Sequence, residues 1–191
     1  MKIILDLDGV LSDFVQAFAY HHGVIKSIDG KYTWKEKGSY SLENLGIGEK
    51  DLWSNVDKNF WESMPVTQEG PFLLRLIRSY VEVEDIAVIT HFPYDQGMNL
   101  HQIGDYFIGK LKWLERNFPE LVPNFYISGN KTFFANNDFI LIDDHESNID
   151  IFEKEGGIGI LIPRVWNRLH HLEKYLIKHV STKLKQIFER T

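Results

Sequence analysis

The chain has 191 residues, 43% of them hydrophobic and 14% aromatic, which is enough apolar surface for a packed core and too much for a disordered chain. Its 21 basic and 27 acidic side chains leave a formal charge of −6, so no global basic field draws it to polymeric nucleic acid or to an anionic membrane. Cysteine is absent, which excludes disulfides, thiolate metal sites and cysteine nucleophiles. No run approaches the ~20 apolar residues of a membrane span. The apolar start Ile3-Ile4-Leu5 is broken by Asp6 and Asp8, unlike a signal peptide. The expectation is a soluble, cytoplasmic protein: one domain carrying a sizeable insertion.

Short apolar runs alternate with segments of helical period, the pattern of βα units around a mainly parallel sheet. Lys2 to Leu7 reads as the first strand; its core Ile3-Ile4-Leu5 has no alternation, as a strand buried on both faces requires. A helix follows from Asp13, with Phe14, Val15, Phe18 and Ala19 at helical spacing. Residues ~23–69 break the alternation. They hold five glycines with Trp34, Trp53, Phe60 and Trp61, are long for a loop, and predict a folded insertion over the strand ends. Pro71 opens another helix with Phe72, Leu73, Leu76, Ile77 and Tyr80 on one face. Ile86 to Ile89 is the second strand, ending at Thr90. A helix spans Tyr106 to Phe118, and Phe125-Tyr126-Ile127 is the third strand. Phe139 to Ile142 is the fourth, ending at Asp143-Asp144. A helix from Ser147 to Glu155 stops at Gly156-Gly157, and Ile158 to Ile162 is the fifth strand. Leu169, Leu172, Leu176, Val180, Leu184 and Phe188 predict a terminal amphipathic helix over 169–188.

The acidic residues cluster where strands end. Asp6 and Asp8 close the first strand and Asp143-Asp144 the fourth, and ligands of open α/β sheets bind outside the carboxyl ends of strands. One such aspartate would be read as a cap. Two pairs, each closing an apolar strand, repel one another unless a cation sits among them, and all-oxygen donors suit Mg²⁺. Between the pairs, Thr90 ends the second strand with a hydroxyl for a phosphoryl oxygen, and Lys131 follows the third with a charge to neutralise one. Alone, Thr90 is a strand terminus and Lys131 a surface lysine; their place on successive strands gives them weight.

Asp6-Leu7-Asp8-Gly9-Val10 resembles the DxDGV/T signature of the haloacid-dehalogenase-like (HAD) phosphotransferases; Thr90, Lys131 and Asp143-Asp144 resemble the second, third and fourth motifs of that superfamily, in order over roughly residues 1–163. Within it, Asp6 through Phe14 (DLDGVLSDF), Asn59-Phe60-Trp61 ahead of Met64-Pro65, Lys110-Leu111-Lys112-Trp113 and Lys131 to Asp144 (KTFFANNDFILIDD) resemble the 5′(3′)-deoxyribonucleotidases. Where that family usually runs Thr-Ser/Ala-Pro, this chain has Thr90-His91-Phe92-Pro93, and His145 replaces the arginine after the paired aspartates.

The resemblance implies a Rossmann-like α/β core of about five strands with helices on both faces (1–14 and 71–191) and a small helical cap over 15–70. It implies an aspartyl-phosphate mechanism in which Asp6 is the nucleophile and Asp8 the general acid and base. Asp6, the backbone carbonyl of Asp8 and Asp143 would hold Mg²⁺, with Asp144 behind them. Thr90, His91 and Lys131 would hold the phosphate, and Phe14, Trp34 and Trp53 the base. The expected substrate is a nucleoside monophosphate or another small phosphomonoester, acted on by a monomer or homodimer. The other readings are a HAD-type phosphatase for a sugar phosphate or similar ester, and a catalytically silent phosphate-binding protein. The adjacent pairs His21-His22 and His170-His171 do not chelate together, and the lysines of the last helix, with Arg190, read as a solvated face.

Overall fold

A computed structural model describes residues 1–48, 52–53, 55–91 and 98–189. Phe92 and Pro93 of the second motif, and Arg190, lie outside them. Five strands form one all-parallel sheet: β1 (Lys2–Asp6), β2 (Ile86–His91), β3 (Phe125–Ser128), β4 (Phe139–Asp143) and β5 (Ile158–Leu161), in the spatial order β3-β2-β1-β4-β5. The register sets Leu5 of β1 between Val88 of β2 and Ile142 of β4. The chain moves outward from β1 to β3, then returns to the other side of β1 for β4, so the topological switch lies between β1 and β4, where such folds open a ligand crevice. Asp6 and Asp143 are the last residues of those two strands.

The helices are α1 (Phe14–His21), α2 (Lys58–Ser63), α3 (Gly70–Ile77), α4 (Leu100–Asn117), α5 (Glu146–Lys154) and α6 (Leu176–Phe188). On one face of the sheet, Ile3, Leu5, Val88 and Ile140 pack with Leu73 and Ile77 of α3, Trp113 and Leu114 of α4, and Leu176, Val180 and Leu184 of α6. On the other, Ile4, Ile89 and Leu141 pack with Ile149 and Phe152 of α5. Helices thus cover both faces, as the α/β reading requires. Among the described residues no helix is long and apolar enough to cross a membrane.

Two helices differ from the sequence expectation. α4 starts at Leu100 rather than near Tyr106, because Asn99 and Gln102 form a reciprocal capping box, each side chain accepting the other's backbone N–H at 3.0 and 3.1 Å. The expected helix over 169–188 begins as a 3-10 turn over His170–Tyr175 and becomes α-helical only at Leu176. Its first turn is tied to the preceding loop: Glu173 accepts the Val165 amide at 3.2 Å, and His170 Nδ1 meets the Asn167 carbonyl at 3.1 Å.

The inserted segment leaves and rejoins the core at one point. Asp13 N–H donates to the Pro65 carbonyl, Thr67 N–H to that of Leu11, and Thr67 Oγ1 to that of Val10, each at 2.8 Å. Between these ends lie α1, a 3-10 turn over Leu42–Leu45 and α2, joined by turns and loops. Trp34, Leu42, Leu45, Phe60 and Trp61 belong to the same apolar cluster as the sheet, so the insertion shares the core rather than building its own.

Candidate active site

β1 ends at Asp6 and the chain turns at once: the Leu11 and Ser12 amides both donate to the Leu7 carbonyl, at 2.9 Å. Gly9 takes φ +74°, and a Cβ there would stand 2.1 Å from Oδ2 of Asp144. Glycine is required twice over, by the left-handed backbone and by the carboxylate pressed against it. The turn therefore brings the first aspartate pair onto the second.

Asp6, Asp143 and Asp144 are buried, and each offers an oxygen within 4.8 Å of the others. Lys131, at the head of a 3-10 turn after β3, bridges two of them: Nζ lies 2.7 Å from Asp6 Oδ1 and 2.6 Å from Asp143 Oδ2. Burial opposes the Lys131 charge, but Asp143 and Asp6 hold its ammonium well above the ordinary lysine range. Asp143 is further fixed by the His145 amide at 2.7 Å and Asn148 Nδ2 at 3.0 Å. Asp144 accepts from Trp166 Nε1 at 2.7 Å, while its backbone carbonyl takes Asn167 Nδ2 at 2.8 Å.

One lysine does not balance three carboxylates. Burial first, then Asp143 and Asp8, push Asp6 up to about 7 against the pull of Lys131. Burial, with Asp143 and Asp6, raises Asp144 well above the usual carboxylate range. An uncompensated, all-oxygen, buried donor set of this kind fits a hard divalent cation, and Asp6, Asp143 and Asp144 could hold one.

Asp8 stands apart from that trio. Ser12 Oγ donates to its Oδ1 at 2.9 Å, and Lys110 Nζ donates to its Oδ2. Lys110 is fully buried; its ammonium also donates to Thr90 Oγ1 and Tyr106 Oη, each at 2.8 Å, and lies 4.2 Å from the centre of the Tyr106 ring. Burial works against this charge too, and Asp8 outweighs it, keeping the lysine above its ordinary range. Lys110 carries a role that reading by strand ends alone does not assign. Its signal is a lysine among the buried α4 positions Ile103, Tyr106, Trp113 and Leu114. A charge there survives only if paired.

A cleft of about 360 Å³ opens over these groups. Asp6, Asp8, His91, Lys131 and Asp144 lie at its polar end. One wall is aromatic: Phe14 stacks on Trp61 (ring centres 5.9 Å, 6° between planes) and on Trp53 (6.4 Å, 27°). Tyr40, His145 and Trp166 also line the cleft, with the Tyr40 and His145 rings 4.3 Å apart. Loss of water around the Tyr40 hydroxyl, with Asp144, Asp8 and Asp6 nearby, raises it above the ordinary tyrosine range. His145 is pushed below the usual histidine value by burial, which outweighs the pull of Asp143.

The structure brings Asp6, Asp8, His91, Lys131, Asp144, Phe14 and Trp53 to this cleft, and ties the fully buried Asp143 to it through Lys131. It does not bring Trp34 or Thr90 there. Trp34 is buried behind the wall, 5.5 Å from the Trp166 ring, with Nε1 donating to the Ser39 carbonyl at 3.1 Å. Thr90 is fully buried, its hydroxyl spent on Lys110 and on Tyr106 at 3.0 Å. Tyr40 and Trp166 are cleft residues that no local sequence signal marks; Trp166 reaches Asp144 only because the chain after β5 folds back across the strand ends.

Among known proteins, no family model matches this chain and no curated protein matches it.

Proposed function

We propose that this protein is a Mg²⁺-dependent phosphomonoester hydrolase of the haloacid-dehalogenase type, acting on nucleoside monophosphates in the manner of a 5′(3′)-deoxyribonucleotidase. The observation that carries the reading is the bridge from Lys131 to both Asp6 and Asp143 at the floor of an aromatic-walled cleft. Residues from three strand ends meet there, as a phosphoryl group with three equatorial oxygens needs.

Asp6, the backbone carbonyl of Asp8 and Asp143 would hold Mg²⁺, with Asp144 beside them. The bound ion would supply positive charge that lets an anionic phosphate approach an anionic carboxylate. Asp6 Oδ attacks phosphorus; the new O–P bond forms as the ester O–P bond breaks, and the departing alcohol oxygen takes a proton from Asp8, which first takes one up from water because Lys110 and Ser12 both donate to it in the free protein. A water then attacks phosphorus, Asp8 takes its proton, and the Asp6–phosphorus bond breaks to release phosphate. Lys131 neutralises phosphoryl charge. Lys110 and Ser12 fix the two oxygens of Asp8, so that this carboxyl is aimed before substrate arrives. Thr90 acts through Lys110 rather than on the phosphate itself. The flat faces of Phe14 and Trp53 offer stacking worth ~1–3 kcal/mol per base, with little discrimination between bases.

A panel of nucleoside 5′- and 3′-monophosphates, sugar phosphates and a generic aryl phosphate, each with Mg²⁺, tests this. Turnover of nucleotides above the rest is expected. Efficient turnover of one sugar phosphate with poor nucleotides would remove the nucleotidase assignment and leave the phosphatase. Titration calorimetry that found phosphate and Mg²⁺ binding without any turnover would leave only a silent binding protein.

A further inference from the structure

Residues 164–167, just past β5, hold on to both aspartate pairs. Trp166 Nε1 donates to Asp144 Oδ2 at 2.7 Å, and Asn167 Nδ2 to the Asp144 carbonyl at 2.8 Å. In the same stretch Arg164 Nε donates to the Gly9 carbonyl at 2.7 Å. Gly9 follows Asp8 in the chain and is the residue pressed against the Asp144 carboxylate. Asn167 Nδ2 also donates to the Ile162 carbonyl at 2.7 Å, which anchors the stretch to the end of β5. The Arg164, Trp166 and Asn167 side chains are all buried.

The turn after β1 offers three successive carbonyls to other segments: Gly9 to Arg164, Val10 to Thr67 Oγ1 and Leu11 to the Thr67 amide. The two donors from Thr67 are neutral. A neutral donor would satisfy the Gly9 carbonyl as well, and Arg164 is the costly alternative. Its Nη1 lies 3.2 Å from Glu69 Oε2, but its Nη2 is buried without a hydrogen-bond partner among the described residues. A guanidinium left partly unsatisfied inside a protein costs stability. What it provides is reach: one planar fork holds Gly9 and Glu69 at once, which a point charge does not.

We propose that Arg164 is a positioning residue for the cleft: by holding the Gly9 carbonyl while Trp166 and Asn167 hold Asp144, residues 164–167 set the spacing between the two aspartate pairs and aim Asp8. Gly9 takes φ +74°, and glycine has more backbone freedom than any other residue. Without the bond from Arg164, the link from Asp8 through Gly9 to Val10 is free to turn, and the carboxyl of Asp8 moves with it. The bonds from Lys110 and Ser12 then act on a carboxyl whose backbone is no longer fixed. The effect on turnover rests on the proposed hydrolase reaction, whereas the bracing of the turn does not.

Amide hydrogen exchange and steady-state kinetics on the full chain read the two parts separately. In Arg164→Met the Gly9, Leu11 and Ser12 amides, each bonded within the turn, should exchange ~10-fold faster or more while those of β4 keep their wild-type rates. On an aryl phosphate with Mg²⁺, kcat should fall ~10²-fold, the scale of a misplacement of about 1 Å, with KM nearly unchanged. Arg164→Lys keeps the charge without the fork, guards against a Met variant that does not fold, and should lose ~10-fold in kcat with the same faster exchange. Glu69→Ala cuts the other arm of the fork and leaves the Gly9 bond, so exchange in the turn and kcat should stay within ~3-fold of wild type.

Unchanged exchange in the turn of both Arg164 variants would overturn the proposal. So would faster exchange with undiminished kcat, or a Glu69→Ala variant as impaired as Arg164→Met, which would make Arg164 only a tie to the chain where the insertion rejoins the core. A wild type that turns over no phosphomonoester, with the turn still loosened in the Arg164 variants, would remove the hydrolase reading and leave the brace standing.

Discussion

The two sides of the cleft are held by opposite physics. At the strand ends, three buried carboxylates and one lysine sit at the tips of β1 and β4 and on the turn after β3, fixed by bonds of 2.6–2.7 Å and under electrostatic stress that the protein alone does not relieve. On the aromatic side, Phe14, Trp53 and Trp61 are held by stacking among themselves and against Phe18 and Phe60, with the Lys110 ammonium 5.1 Å from the Trp61 ring centre. The first side is rigid because it is bonded to the sheet. The second is adaptable because dispersion tolerates small shifts that a hydrogen bond does not. Chemistry that needs fixed angles belongs on the first, and recognition of a flat group of variable outline on the second.

Substitutions can separate the two. The largest effect is expected from Asp6→Asn, which keeps shape and removes the proposed nucleophile. Phosphate release from every substrate should fall ~10⁴-fold, the scale on which a covalent catalytic constellation loses a member, and a folded variant retaining most activity would sink the mechanism. Lys110→Met comes next. It leaves Asp8 without its buried partner, and kcat should fall ~10²-fold or more on aryl phosphates and nucleotides alike, with little change in KM. A change confined to KM would show that Lys110 supports binding only.

Trp53→Ala addresses the other side. It should raise KM for nucleoside monophosphates about 10-fold while an aryl phosphate too small to reach that wall is turned over nearly as before. Equal losses on both substrates would mean that the two sides are not separable. The smallest effect is on stability. Asp6 releases its proton near 3.8 when unfolded and near 7 in the fold, so between those values the folded chain holds more protons and raising the pH weakens it. In chelator, the difference in melting temperature between Asp6→Asn and wild type should move in favour of the variant from pH 5 to pH 7.5. Adding Mg²⁺ at pH 7.5 should raise the wild type alone. A difference that does not change with pH would contradict the raised Asp6.

The strands, their parallel sense and the positions of Asp6, Asp8 and Asp143 were legible in the sequence, because each rests on a local rule: an unbroken apolar run for a buried strand, and polar residues where that run stops; Lys131 followed from its place after the third strand, and Phe14 entered only through the family resemblance. The first six residues of α4 were not, since Gly104 and the polar His101-Gln102 pair hide a start that the reciprocal Asn99–Gln102 bonds secure. Trp34 and Trp53 look alike in sequence. One packs behind the wall on Trp166 and the other faces the cleft, a distinction made by the path of the loops between α1 and α2.

Composition and pattern alone thus determined an α/β chain with acidic strand ends, since periodicity and burial act along a few residues at a time. Tertiary structure decided which acid is bridged and which is paired: Lys131 bridges Asp6 and Asp143, Lys110 takes Asp8 and Thr90, and Trp166 takes Asp144. Those partners come from distant points of the chain, and a buried charge is settled by whatever counter-charge or donor the packing delivers to it. No local pattern encodes that delivery.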